Sequence, residues 1–254
     1  MVVVESLLFY VVAVPAVLLI GISKGGFAGG LGVLAVPVMS LAIPPMQAAG
    51  IMLPILCVMD LASLRIWASR CHWGLLWRLL PCAILGIIIG ALTFQFISEA
   101  MLRLMVGVLA LAFTLNHWLQ GRVRASVRLP ERASAWFWSG LSGFTSFLAH
   151  AGGPPMMIYL LPKPMERAVL VGTATIFFAV VNYTKLVPYA LLGELGAENL
   201  MTSLVLAPVA VIGVKLGAWL HTRMDPVAFY RILYGFLFVT GVKLCWDSLG
   251  GVAL

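Results

Sequence analysis

Apolar residues run along this chain in blocks of membrane length, and the polar residues gather in the short intervals between them. A block of 18 or more apolar residues, as a helix rising 1.5 Å per residue, is long enough to cross a hydrocarbon layer about 30 Å thick. The pattern predicts spans at 46–66, 74–97 and 100–119, and again at 167–193, 198–222 and 226–249. Two further blocks, 6–43 and 134–162, are broken internally by glycine and proline. The second, about 28 residues from Ser134 to Leu161, is too short for two crossings of about 20 residues each. Both blocks are therefore expected to be broken, re-entrant hairpins of two short helices that meet at a glycine break.

Composition sets the class. Of 254 residues 62% are hydrophobic and 10% charged, with a mean hydropathy of +1.07, whereas soluble domains carry about 25% charged residues. The chain reads as an all-α membrane protein of about 8–10 helical elements, with the lipid bilayer as its first partner. The intervals leave no room for a soluble catalytic domain. Glu5 precedes the first block and no A-x-A site follows it, so that block is expected to be a retained segment and not a cleaved signal. The net charge of +7 comes from basic residues in the short connections. They line no face with interleaved aromatics, which argues against nucleic acid and for the positive-inside rule. The four cysteines show no C-x-x-C spacing, and Cys71, His72 and Cys82 lack a fourth zinc ligand. No metal or cofactor is expected.

The chain is duplicated. The break at 21–32, GISKGGFAGGLG, returns about 122 residues later as GFTSFLAHAGGPP at 143–155. Pro81-x4-Gly86-x3-Gly90 repeats 127 residues on as Pro208-x4-Gly213-x3-Gly217, and Arg103-x3-Gly107 reappears as Arg231-x3-Gly235. These matches fall in the same order, which predicts a first repeat over 1–119, a basic linker at 120–133 and a second repeat over 134–254.

Charge then orients the halves. Arg65, Arg70 and Arg78 place one connection in the cytoplasm, as do Arg122, Arg124, Arg128 and Arg132. The connection 193–199 has Glu194 and Glu198 but no base, and is expected outside. Counting spans from these anchors puts the second half upside down relative to the first, an inverted-topology repeat.

The breaks are where chemistry is expected. A charge inside hydrocarbon is costly and usually functional, and Lys24 lies in the first break, some 18 residues into its apolar run. Freed backbone N–H groups at a helix start favour anions. Lys24, Ser23, Gly25, Gly26, Gly29 and Gly30 of the first break, with Thr145, Ser146, His150, Gly152 and Gly153 of the second, are the substrate-binding candidates, joined by Asn182. They suit a small oxyanion better than a cation or a sugar. Asp60 and Asn182 hold similar places in the two halves. Asp60 and His150 are the candidate coupling groups, should protons take part. Lys185, Lys215 and Lys243 lie near the ends of their runs and are expected to snorkel to the interface. No nucleotide site is visible: GISKGG lacks the spacing of a phosphate loop.

These same segments, GISKGGFAGGLGVLAVPVM and GFTSFLAHAGGPPMMIYLLP, with the two-half layout, resemble the sulfite exporter TauE/SafE family of bacterial membrane permeases over essentially the whole chain. The resemblance implies a multi-pass transporter of the bacterial inner membrane that moves sulfite, organosulfonates or related sulfur oxyanions. The chain departs from the family pattern where Phe147 stands at the place of Gly25 and Ser146 at that of Lys24. Two other readings remain at this point: an anion channel, and an intramembrane hydrolase using Ser142 and His150, because Gly140-Leu141-Ser142-Gly143 resembles the rhomboid G-x-S-G motif.

Overall fold

The computed structural model describes residues 4, 6–27, 32–94, 96–119, 130–221, 223 and 226–250. These residues form α-helices and no strands: α1 (Leu7–Gly26), α2 (Ala35–Met39), α3 (Pro45–Trp67), α4 (Trp73–Phe94), α5 (Glu99–Trp118), α6 (Glu131–Ala149), α7 (Gly153–Leu160), α8 (Arg167–Leu191), α9 (Ala197–Leu220) and α10 (Pro226–Leu249). Short 3₁₀ turns precede α2 and follow α3. The residues 28–31 of the first break, including Gly29 and Gly30, and most of the basic linker lie outside the described residues.

Local chemistry sets the boundaries. The Ser6 and Ser98 side chains accept from the third residues of α1 and α5, and proline begins α3. Among the described residues six helices are long and apolar enough to cross a membrane: α1, α3 with its following turn, α4, α5, α8 and α9. Large apolar side chains such as Leu7, Phe96, Leu191 and Trp246 stay exposed, as expected of a lipid-facing surface.

The hairpins are less even than the sequence predicts. Each pairs a long first arm, 20 residues in α1 and 19 in α6, with a short second arm, five residues in α2 and eight in α7. The reason in the second is the run Gly152-Gly153-Pro154-Pro155, followed closely by Pro162 and Pro164, which ends helical hydrogen bonding early. His150 closes α6 with a left-handed backbone, φ 53°.

The two halves pack by exchange. α1 lies along α9 of the other half, and α6 lies along α4. The seams are the glycines of the duplicated motifs. A Cβ at Gly25 would run into the Val214 carbonyl and one at Gly217 into that of Ile22, while Gly143 meets Ala83 and Gly86 meets Gly140 in the equivalent place. Only hydrogen at these positions lets the backbones approach.

The equivalent helices α3 and α8 cross in opposite directions. Gly50 lies against Glu194, Cys57 against Tyr183, Asp60 against Asn182, and Trp67 and Arg70 against Gly172. α5 and α10 do the same, with Gly107 beside Cys245 and Trp118 beside Phe238. Equivalent helices that run antiparallel require a two-fold axis across the helices, which is the geometry of an inverted repeat.

Candidate functional site

Where α3 and α8 cross, beside the ends of α1 and α6, the apolar core holds a polar cluster. Lys24, in the last turn of α1, is buried and donates to Asp60 of α3, with a longer 3.4 Å bond to the Leu56 carbonyl. The other Asp60 oxygen accepts from the Asn182 amide at 2.7 Å. Its acceptors are therefore met from both halves. A buried ion pair of this kind is retained only where further hydrogen bonds compensate the loss of water.

Lys185 sits one turn beyond Asn182 on α8 and is 0% exposed. It does not snorkel, because its side chain turns inward toward the end of α6. Its ammonium donates to the Ser146 carbonyl and hydroxyl, each at 3.0 Å, and to His150 Nδ1 at 2.8 Å. His150 Nε2 faces the Ala49 carbonyl at 2.9 Å. An ammonium has no lone pair, so Nδ1 accepts and Nε2 carries the ring proton that Ala49 takes. Among the described residues no carboxylate lies within 4.0 Å of the Lys185 ammonium. The C-terminal dipole of α6 supplies part of its compensation.

The sequence candidates thus separate. Lys24, Asp60, Asn182, Ser146 and His150 converge, joined by Lys185, which its distance from the run's end had placed at the membrane surface. A signal for it existed: Ser63 and Lys185 are equivalent positions, as are Lys24 and Ser146, so the halves have exchanged a lysine for a serine twice. Ser23, which precedes Lys24 on α1, and Ser63, one turn from Asp60 on α3, are buried with hydroxyls that have no partner. Gly25 and Gly26 pack against α9.

The other hydroxyls are committed to the break itself. Ser142 donates to the Gly152 carbonyl at 2.7 Å, and Thr145 Oγ1 lies 3.0 Å from the Ala151 carbonyl and 2.9 Å from that of Leu141. Both ring nitrogens of His150 are engaged away from Ser142, so no nucleophile–base pair exists there. Pro154 and Pro155 also lack the N–H groups that an anion at the start of α7, beside Gly152 and Gly153, would use. The first hairpin offers no better helix start, since α2 has five residues. The positive charge at this centre is carried by side chains.

Each first arm ends on an aromatic donor. Trp67 Nε1 donates to the Gly25 carbonyl at 2.7 Å, and Tyr189, its equivalent on α8, donates to the Phe147 carbonyl at 2.6 Å. Phe147 also packs edge-on against Phe94 and Tyr189, and Trp67 against His221, whose Nδ1 donates to Gly26.

A multi-pass helical protein whose two inverted halves share a buried, charged centre has the build of a transporter. The profile of the family described as Sulfite exporter TauE/SafE matches residues 13–244. The chain belongs to that family and is a membrane transport protein, not an enzyme. It is also similar to a Cupriavidus necator protein named "Probable sulfite/organosulfonate exporter TauE", 24% identical over 191 residues that cover 70% of this chain and 72% of that one. No solved structure matches the chain.

Proposed function

We propose that this protein is a secondary carrier of sulfite, organosulfonates or related sulfur oxyanions, acting in the bacterial inner membrane by alternating access to the centre where α3 and α8 cross. The observation that carries the reading is Lys185: a fully buried ammonium with neutral partners and, among the described residues, no carboxylate against it. Such a charge calls for an anion, because leaving it unpaired in low dielectric is expensive. An arriving oxyanion would take a hydrogen bond from Lys185 in place of the Ser146 hydroxyl, and Ser23 and Ser63 have protons to give.

Access would alternate between two aromatic closures. Trp67 and Tyr189 lie two turns beyond Asp60 and Asn182 on antiparallel helices, so they stand on opposite sides of the centre, each about 10 Å along the helix from it. The basic end of the bundle, with Arg65, Arg70, Arg78, Lys163 and Arg167, faces the cytoplasm by the positive-inside rule. Trp67 guards that side and is half-buried, whereas Tyr189 on the far side is 1% exposed. That contrast fits a state sealed toward the outside. Export of an anion from a cell with a negative interior is favoured by about 2.3 kcal/mol per charge per 100 mV, so proton coupling is not required.

Purified protein in proteoliposomes tests the reading. We expect saturable sulfite or methanesulfonate flux with counterflow, and loss of both in Lys185→Gln. Flux without saturation or exchange would indicate a channel, and undiminished flux in Lys185→Gln would remove the proposed site.

A further inference from the structure

We infer that the site is matched to a monoanion, and that Asp60 sets this match. The inference rests on the anion-carrier reading above and adds the charge class of the substrate.

Among the described residues three formally charged side chains are buried: Lys24, Asp60 and Lys185. All meet at the α3–α8 crossing. Lys24 and Asp60 are in contact and cancel. Lys185 leaves one unit of positive charge, and its neighbour His150 adds none, because one nitrogen of that ring accepts from Lys185 and the other donates to Ala49. If the proton between Lys185 and His150 resides on either partner, the pair still totals one positive charge. Lys185 lies one helical turn from Asn182, which bonds Asp60, the partner of Lys24, so an anion bound there meets the sum of the three.

A monoanion such as a sulfonate or hydrogensulfite brings this centre to neutrality. A dianion leaves one buried negative charge without a counterion, which a low-dielectric interior penalises steeply. Asp60 therefore acts as a resident anion that occupies Lys24 and withholds it from the substrate. Its specificity role is electrostatic and does not require contact with the substrate. The buried, unpartnered hydroxyls of Ser23, next to Lys24 in sequence, and Ser63, one turn from Asp60, provide hydrogen bonds without adding charge, as recognition of a singly charged, oxygen-rich headgroup requires.

Two tetrahedral probes of similar size isolate charge from shape: methanesulfonate, a monoanion, and sulfate, a dianion, both holding their charge across the neutral range. Equilibrium binding is measured on purified wild type, on Asp60→Asn, which keeps the shape and one of the two acceptor oxygens while raising the centre to two positive charges, and on the Lys24→Gln/Asp60→Asn double variant, which returns it to one. We expect wild type to prefer methanesulfonate. Asp60→Asn should move the methanesulfonate-to-sulfate ratio toward sulfate by at least about tenfold, the scale of one added charge in a partly screened interior. The double variant should return to the monoanion preference. Wild type that binds sulfate as well as or better than methanesulfonate overturns the charge match, as does an unchanged ratio in Asp60→Asn. Wild type that binds neither probe removes the anion-site reading itself, which keeps the two failures distinct.

Discussion

Asn182 donates to Asp60 at 2.7 Å across 122 residues of sequence, and the two are equivalent positions of the duplicated halves. Residues exchanged by a two-fold axis can touch only where that axis passes. For an axis lying in the membrane plane, contact between equivalents places the polar cluster near mid-depth.

Lys24 is a structural partner as much as a functional one, and its removal should show this. Lys24→Ala leaves Asp60 buried and unpaired, with an expected loss of about 3–5 kcal/mol. Adding Asp60→Asn should recover most of that stability. Thermal unfolding in detergent checks both, and additive losses in the double variant would contradict the pairing.

The glycine seams predict a sharp contrast between positions of the same residue type. Gly143→Ala places a methyl group against the Ala83 carbonyl and should cost about 1–3 kcal/mol through overpacking. Gly235→Ala meets nothing within 4 Å and should be neutral, or gain up to about 1 kcal/mol from helix propensity. Melting temperatures of the two variants, compared side by side, decide the matter.

Trp67 and Tyr189 should differ in what their loss exposes. Tyr189→Phe strands the buried Phe147 carbonyl at a cost of about 1–3 kcal/mol and should loosen the outer closure. A cysteine at Ser146 in a cysteine-free background should then react faster with a membrane-impermeant reagent added outside. Trp67→Phe should raise its reactivity from the cytoplasmic side instead. Equal rates from both sides in both variants would exclude paired closures.

Orientation has a direct check. A single cysteine at Leu195 should be labelled from the periplasm and one at Pro164 from the cytoplasm. Reversal of the pair would turn the whole assignment over.

Acid should loosen the open end of the second hairpin. There Lys163 donates to Glu131 and holds its carboxyl below the usual carboxylate range, with Tyr159 as a second donor at 2.8 Å, against a smaller opposing effect of partial burial. A depressed carboxyl stabilises the fold above its unfolded value, about 4.3, and that contribution is lost as pH falls through the folded value. Glu131 is largely exposed, so the effect is small. Melting followed between neutral and acid pH should show a shallower decline in Lys163→Met than in wild type.

The helices and the glycine seams between them were legible because both are local signals. A run of apolar residues sets a length, and a repeated Pro-Gly spacing marks where two backbones touch. The partners were not legible. Lys24 read as a substrate-binding group and Asp60 as a coupling group, with no link between the two, because they lie 36 residues apart and only packing joins them. Lys185 read as snorkelling because distance from the end of a run says nothing of which face of α8 turns inward. Comparison of equivalent positions comes closest, since Ser63 opposite Lys185 and Ser146 opposite Lys24 mark the place where the halves cease to match. In the second break Thr145 read as a substrate donor and Ser142 as the nucleophile of a hydrolase, yet both serve backbone carbonyls of the break itself.

Each buried ammonium finds its principal partners within its own half: Lys24 with Asp60, Lys185 with Ser146 and His150. A ribosome delivers the first half to the bilayer before the second exists. Neither half then depends on the other for the principal partners of its lysine, and the exchange of α1 onto α9 and of α6 onto α4, with the Asn182–Asp60 bond, joins them afterwards.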